Sequence, residues 1–294
     1  MTLRSPYALA VGAATLWALL GVWATELLQA GLAPVEIAFW RAAVGGGAFV
    51  IHVAVRRRPP DRRDLPPNVA LGLVGVALFY TALPAAIEAG GIAVAWVLLY
   101  TAPAFVIVAG WLLGRQRLDT ASLSMVAVAL VGVTLVAGGS GAELSAAALG
   151  WGLVAGATYS LHYLVVGWAR SPADVVGRYA VALPLGAVAL LPFVTFAPRS
   201  ATDWLLIGAI GLLSTYLPFL AIGIAIDRAE PQRVALVATT EPVLAVLIGL
   251  IAYSDAVTAP QLVGGALVLA VVASAAGLGD LLRSAPQPRG KEPR

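Results

Sequence analysis

Apolar runs of about twenty residues follow one another along this chain so closely that few soluble folds remain open to it. They fall at roughly 6–26, 34–55, 67–88, 92–114, 119–138, 146–168, 172–194, 203–226, 232–253 and 258–282, each about the length that crosses a hydrocarbon core as a helix. The runs are continuous rather than alternating, which suits helices and not barrel strands, because a lipid-embedded backbone must satisfy its own polar groups. Composition agrees: 60% of the 294 residues are hydrophobic and 11% charged, whereas a water-facing globule carries about a quarter of its residues as charges. The expected fold is therefore an all-α integral membrane protein with ten transmembrane helices. The first run, from about Tyr7 to Thr25, outlasts the ~7 to 15 residue core of a signal peptide and reads as the first span.

The second half echoes the first. Gly72, Gly75 and Tyr80 in LGLVGVALFY return at the same spacing as Gly208, Gly211 and Tyr216 in IGAIGLLSTY, and YTAPAFVIVAGWLLG returns as TTEPVLAVLIGLIAY, with Pro103 matched by Pro242. Units of five spans, an odd number, must sit upside down relative to each other in the bilayer. The expected organisation is a first five-helix repeat over 1–140, an inverted second repeat over 141–283, and a disordered cytoplasmic tail over 284–294, rich in proline and charge. Inverted repeats of this kind characterise secondary transporters, whose substrate site lies between the repeats near the midplane.

Fifteen of the eighteen lysines and arginines fall on one side of a ten-span arrangement, against Arg199 alone on the other. The positive-inside rule then makes both termini cytoplasmic, and the expected location is the cell's inner, plasma membrane. The expected loops include RRRPPDRRDLPP, EAGG and DRAEPQR, broken by proline, glycine and charge. The net charge of +3 reflects this loop bias, and with no aromatic-interleaved basic patch no nucleic-acid partner is expected. The chain has no cysteine, which removes disulfides, thiolate metal sites and cysteine nucleophiles. No metal, cofactor or enzymatic activity is expected, since HExxH, GxSxG and cofactor fingerprints are missing from the sequence.

With span 2 reading PVEIAFWRAAVGGGAF and paired blocks around Ala102-Pro103 and Glu241-Pro242, the chain resembles the drug/metabolite transporter superfamily, more narrowly the EamA family and its YddG-type exporters of aromatic amino acids. One departure stands out. The family often closes span 4 with a Gly-Glu pair, where this chain reads Gly114-Arg115-Gln116-Arg117, leaving Asp255 after span 9 in the equivalent acidic place. The resemblance implies efflux of small metabolites through a central cavity by alternating access.

Glu241 is the sharpest candidate. It lies ~14 Å into span 9 at 1.5 Å per residue, near the midplane of a ~30 Å core, where an ionisable group marks a functional site by default; the competing reading is a carboxyl bonded to a nearby backbone carbonyl or to Thr240. Pro103 and Pro242 each remove a helical hydrogen bond, from the carbonyls of Leu99 and Ala238, and are read either as gating hinges or as kinks that shape packing. Trp17, Tyr80, Tyr100, Tyr159 and Tyr216 fall in the middle of spans 1, 3, 4, 6 and 8, with Trp96 on the face of Tyr100 and His162 beside Tyr159. With Glu241 they form the expected substrate-binding set, and spans 5 and 10 the outer wall. His162 fits a satisfied buried histidine as well as a substrate contact. Arg178 is expected to pair with Asp174 and snorkel to the face, and Arg41 to neutralise Glu26, Glu36 or Glu88.

A cavity walled by tyrosine and tryptophan with few fixed charges suits molecules with an apolar body and an ionic end. Aromatic or large neutral amino acids fit, as do flat organic cations through cation-π contact, so multidrug or organic-cation efflux is the alternative, and a non-transporting membrane scaffold the alternative of another class. Small molecules and the lipid bilayer are the expected partners.

Overall fold

The computed structural model describes residues 5–57, 59–115, 117, 119–136, 145–168, 174–253 and 258–275. The 140/141 repeat boundary, Asp255 and the 284–294 tail lie outside the described residues. Within them every regular element is helical. In chain order these are α1 (Pro6–Gln29), α2 (Pro34–Arg56), a 3-10 turn (Arg62–Asp64), α3 (Leu65–Ala70), a π-helical segment (Leu71–Leu78), α4 (Phe79–Leu99), α5 (Ala102–Leu112), α6 (Thr120–Val136), α7 (Ala146–Trp168), α8 (Val175–Leu190) and a second 3-10 turn (Leu191–Phe193). There follow α9 (Ala201–Gly211), a second π-helical segment (Leu212–Tyr216), α10 (Leu217–Ile226), α11 (Pro231–Ala238), α12 (Glu241–Tyr253) and α13 (Ala259–Ala275). Seven of the helical stretches are long and apolar enough to cross a membrane, and α6 and α13 are shorter apolar helices.

Proline sets several starts. α1, α2 and α11 each carry it in the first turn, where the missing N–H forfeits no helical bond. Ser200 caps α9 through a reciprocal box with Asp203, satisfying two otherwise orphaned donors.

The segment EAGG, expected as a loop, carries helical backbone within α4, while the membrane-length stretches end at Gly90 and resume at Val94. The chain nevertheless reverses there. Gly75 and Phe79 meet His162 and Tyr159 of α7, and Gly90 meets Ala148, so this stretch is antiparallel to α7; Leu98 then meets Gly152 and Thr101 meets Gly156, in parallel order.

Glycines bring the helices close, as small residues do in lipid. Gly45 and Gly46 of α2 sit against Thr215 and Pro184, and Gly186 of α8 against Val76 and the Gly72 carbonyl. Gly132 of α6 faces Gly264 of α13, each approaching the other's carbonyl. The pair is only partly the outer wall expected, because α6 also turns Val133 and Val136 inward onto a cavity.

Charge inside the bundle is paired in ways local spacing did not reveal. Asp174 caps α8 by accepting from the Gly177 N–H and adds a lesser electrostatic attraction to Arg178, whose ion pair is made elsewhere. Arg178 is 2% exposed, donates to the Val165 carbonyl and lies 3.9 Å from Asp64 in the turn before α3. It does not snorkel. At the opposite face Glu36 is taken by Arg199, which leaves Arg41 to other company.

Candidate functional site

The two blocks that echo each other in sequence are both broken helices. α4 ends at Leu99 and α5 starts at Ala102; α11 ends at Ala238 and α12 starts at Glu241. Pro103 and Pro242 fall in the first turn of the new helix instead of kinking a continuous one, because a proline ring tolerates that position and clashes with the preceding turn anywhere else. The threonines before them act alike: the Thr101 hydroxyl donates to the Leu98 carbonyl at 2.6 Å and the Thr240 hydroxyl to the Val237 carbonyl at 2.9 Å. Glu241 thus occupies the head of a helix, where the peptide dipoles favour a negative charge.

Between these breaks lies a cavity of about 380 Å³. Trp17 of α1, Trp96 and Tyr100 of α4 and the connection after it, and Glu241 and Pro242 of α12 line it, with Val133 and Val136 of α6. The Trp96 and Tyr100 rings are stacked at 6.0 Å. The Glu241 carboxyl, 7% exposed, interacts electrostatically with the Tyr100 hydroxyl and, from further off, with Arg41. Tyr100 Oη and Trp17 Nε1 are buried without a hydrogen bond of ordinary geometry. One carboxyl thus borders an otherwise largely apolar space, with the Tyr100 and Trp17 polar atoms buried in its wall, the pattern of a small-molecule site.

Four of the eight expected binding residues share this cavity: Trp17, Trp96, Tyr100 and Glu241. Tyr80 lines a second cavity of about 160 Å³ with Arg41. Tyr159 packs edge-on against Trp17 and bonds to the Tyr163 hydroxyl at 3.1 Å, beneath the main cavity. His162 is sandwiched in a stack, nearly coplanar with Phe219 at 4.8 Å and close to Tyr179. Its Nε2 lies 2.7 Å from the Gly75 carbonyl and its Nδ1 3.1 Å from the Tyr179 hydroxyl; since a carbonyl only accepts, Nε2 carries the proton and Nδ1 accepts from Tyr179. Tyr216 stands apart, bonded to His52 at 2.8 Å.

The stack lies behind Trp17, which lines the cavity. Trp17 meets both Phe219 and Tyr159, and behind these stand His162, Tyr179 and Phe79, on the side of the arginine-rich loops. Both π-helical segments border this region and each yields a carbonyl, Gly75 to His162 and Ser214 to Arg41, in keeping with the tendency of π-bulges to occur at functional sites. Among the described residues no three His, Asp or Glu side chains gather as metal ligands do.

Val133, Val136, and the pairing of Glu36 with Arg199 were not legible beforehand. The one signal for the last was that Arg199 is the single basic residue on its side of the chain.

The profile of the EamA-like transporter family matches residues 4–138 and again 146–276. The chain belongs to the EamA-like transporter family. This EamA protein is similar to two proteins of Archaeoglobus fulgidus, each named an uncharacterized transporter. One is 31% identical over 204 residues, 68% of this chain and 74% of the relative; the other is 28% identical over 243 residues, 81% and 87%. It also resembles YdfC of Bacillus subtilis, named an uncharacterized transporter, at 25% identity over 279 residues, 85% of this chain and 86% of that one. A solved crystal structure shares the fold with a TM-score of 0.72 over 94% of this chain and 96% of the other, at 20% identity. The EamA protein is accordingly a multi-pass membrane transporter, with a small molecule as its substrate.

Proposed function

We propose that this protein exports small amphipathic metabolites, aromatic or large neutral amino acids in the first place, by alternating access. The spans would be ten, in two inverted five-helix repeats over 1–140 and 141–283, with both termini on the cytoplasmic side of the cell's inner membrane. Support for the repeat comes from the doubled family match and from the two helix breaks with their paired threonines and prolines. Support for the orientation comes from the arginine-rich loops on one face.

The observation that carries the substrate reading is the 380 Å³ cavity, aromatic on two sides, with the single carboxyl of Glu241 at its edge. An aromatic side chain would lie against Trp17, Trp96 and Tyr100 while its ammonium group meets Glu241. Pro103 and Pro242 serve as hinges, since each breaks its helix beside the cavity. The stack of Tyr159, Phe219 and His162 serves as the cytoplasmic gate, closed in this state. Tyr216, outside both cavities, would act through His52 at the gate's edge and not on substrate.

A carboxyl between aromatic rings also suits a flat organic cation, and this is the second reading. Proteoliposomes loaded with labelled compounds decide between them: counterflow of phenylalanine or tryptophan above that of threonine supports amino-acid export, and flux of methyl viologen alone supports cation efflux. Flux of neither would leave the scaffold reading.

A further inference from the structure

Arg41 is a cation in the middle of the bundle without a carboxylate. Three acids were its candidate partners. Glu36 is held in two bonds by Arg199, and Glu26 and Glu88 are exposed residues that form no ion pair with it. Instead the Arg41 Nε donates to the Thr215 hydroxyl at 3.0 Å, Nη2 donates to the Ser214 carbonyl at 3.4 Å, and the guanidinium lies over the Tyr80 ring at 4.8 Å. Of the five N–H donors of a guanidinium, these bonds use two. Both hydrogens of Nη1 and one of Nη2 are left, side by side.

Arg41 lines the 160 Å³ cavity, whose other lining residues are Tyr80 and apolar side chains such as Leu20, Ile37 and Leu83. The Tyr80 hydroxyl is buried and makes no hydrogen bond. A charge in such surroundings is costly unless something of opposite sign reaches it, and the Glu241 carboxyl, which lines the neighbouring cavity, makes no ion pair with Arg41. The side chain is also pre-set. Its Nε edge is tied to Thr215 and its plane rests on Tyr80, so the outward Nη edge is presented in a fixed direction, the fork that a carboxylate fills with two parallel bonds.

We propose that Arg41 and Tyr80 form a carboxylate-binding subsite, so that the molecule this protein moves carries a carboxylate that docks on the Arg41 fork. The proposal deepens the amino-acid reading above and rests on it for the choice of substrate. It adds a requirement that an organic cation does not meet. α1 borders both cavities, with Trp17 and Gly21 on the Glu241 side and Leu20 and Ala24 on the Arg41 side, so a zwitterion passing along α1 meets an acid for its ammonium group and a base for its carboxylate.

The test reads Arg41 itself. Purified protein in vesicles of neutral phosphatidylcholine is treated with phenylglyoxal, and modification of Arg41 is followed by residue-resolved mass spectrometry. We expect 3-phenylpropionate to slow modification of Arg41 about fivefold or more, and phenethylamine, which lacks the carboxylate, to leave it unchanged. An Arg41 inert to the reagent, equal protection by both compounds, or protection by neither overturns the proposal. Protection that requires phosphatidylglycerol in the vesicle, with no carboxylate added, assigns the fork to a lipid headgroup and overturns it too. As a second readout, Arg41→Gln should abolish the change in tryptophan fluorescence that 3-phenylpropionate produces, and Arg41→Lys, which keeps charge but not the fork, should restore it only in part; full restoration by lysine overturns the bidentate geometry. If proteoliposomes move no phenylalanine while 3-phenylpropionate still protects Arg41, the amino-acid reading fails and the subsite stands.

Discussion

Glu36 and Arg199 are joined by a two-armed ion pair, Arg199 Nε to Oε1 at 3.2 Å and Nη2 to Oε2 at 2.5 Å, with both side chains under a tenth exposed. The pair links the start of α2 to the connection ahead of α9, under a cluster of Phe39, Trp40, Phe196 and Trp204 rings. A counterpart stands at the other face with the signs exchanged: Arg178 at the start of α8 and Asp64 ahead of α3, looser at 3.9 Å. Under the proposed repeat, α2 corresponds to α8 and α9 to α3. Each latch would then hold the same pair of elements, one at each face of the membrane.

Removing one partner of a buried pair strands the other charge, which costs about 3–5 kcal/mol. Glu36→Gln and Arg199→Gln should therefore each lower thermal stability sharply, while the double variant loses less than the two single losses added together. Additive losses in the thermal unfolding of the four proteins would show that the two side chains do not depend on each other.

Glu241→Gln keeps the shape of the side chain and removes its charge. Folding should be retained, with substrate affinity lowered, and any pH dependence of flux should disappear if the carboxyl couples transport to protons. Wild-type flux and pH profile in this variant would take Glu241 out of the mechanism. Glu241→Leu is the companion measurement, because a purely structural carboxyl would then show as a loss of thermal stability larger than the loss of flux.

Aromatic contacts in the cavity predict selectivity. Trp17→Ala and Tyr100→Ala should weaken transport of phenylalanine and tryptophan more than that of threonine, since a ring pair adds ~0.5–1.5 kcal/mol beyond area burial. Equal losses for all three amino acids in liposome flux would mean that the rings only pack. Tyr100→Phe separates the hydroxyl from the ring. Since the hydroxyl interacts with the Glu241 carboxyl, its removal should change flux and its pH dependence while leaving the aromatic selectivity in place.

Gly156 tests the broken helix. A Cβ there would stand 2.7 Å from the Leu98 carbonyl and 2.5 Å from the Thr101 hydroxyl oxygen, two groups that define the end of α4. Overpacking of this kind costs about 1–3 kcal/mol, so Gly156→Ala should lower stability and flux together. Gly150→Ala, on the same helix with open space around it, is the control. Equal melting temperatures for the two variants would mean that the α4 end is not tightly seated on α7.

Orientation is open to direct labelling because the chain has no cysteine of its own. A cysteine placed at 198 should react with an impermeant thiol reagent added to intact cells, and cysteines at 60 and 230 should not. Reaction at 60 from outside would invert the proposed topology and with it the direction of export.

The sequence by itself determined the solvent and the class of the fold. Long uncharged runs leave a chain no stable place but lipid, and a lipid-embedded backbone no form but a helix or a closed barrel; the same argument drew attention to Glu241, because a carboxyl so deep in a span calls for a reason. The prolines at 103 and 242 announced irregularity, and their repetition in the two halves announced that it was shared. What the sequence left open was partnership across the bundle. Arg178 has Asp174 one turn away, yet its ion pair is with Asp64, while Asp174 caps α8. Arg41 has Glu36 nearby on its own helix, yet Glu36 is bound by a residue 163 positions on, and Arg41 turns to Thr215 and Tyr80. Local spacing sees only neighbours on one helix, whereas the low dielectric of the interior lets whichever charge the packing brings closest take the partner. For the same reason only the folded bundle could divide the aromatic set, placing Trp17, Trp96 and Tyr100 around one cavity with Glu241, and Tyr159 and His162 in the stack behind Trp17.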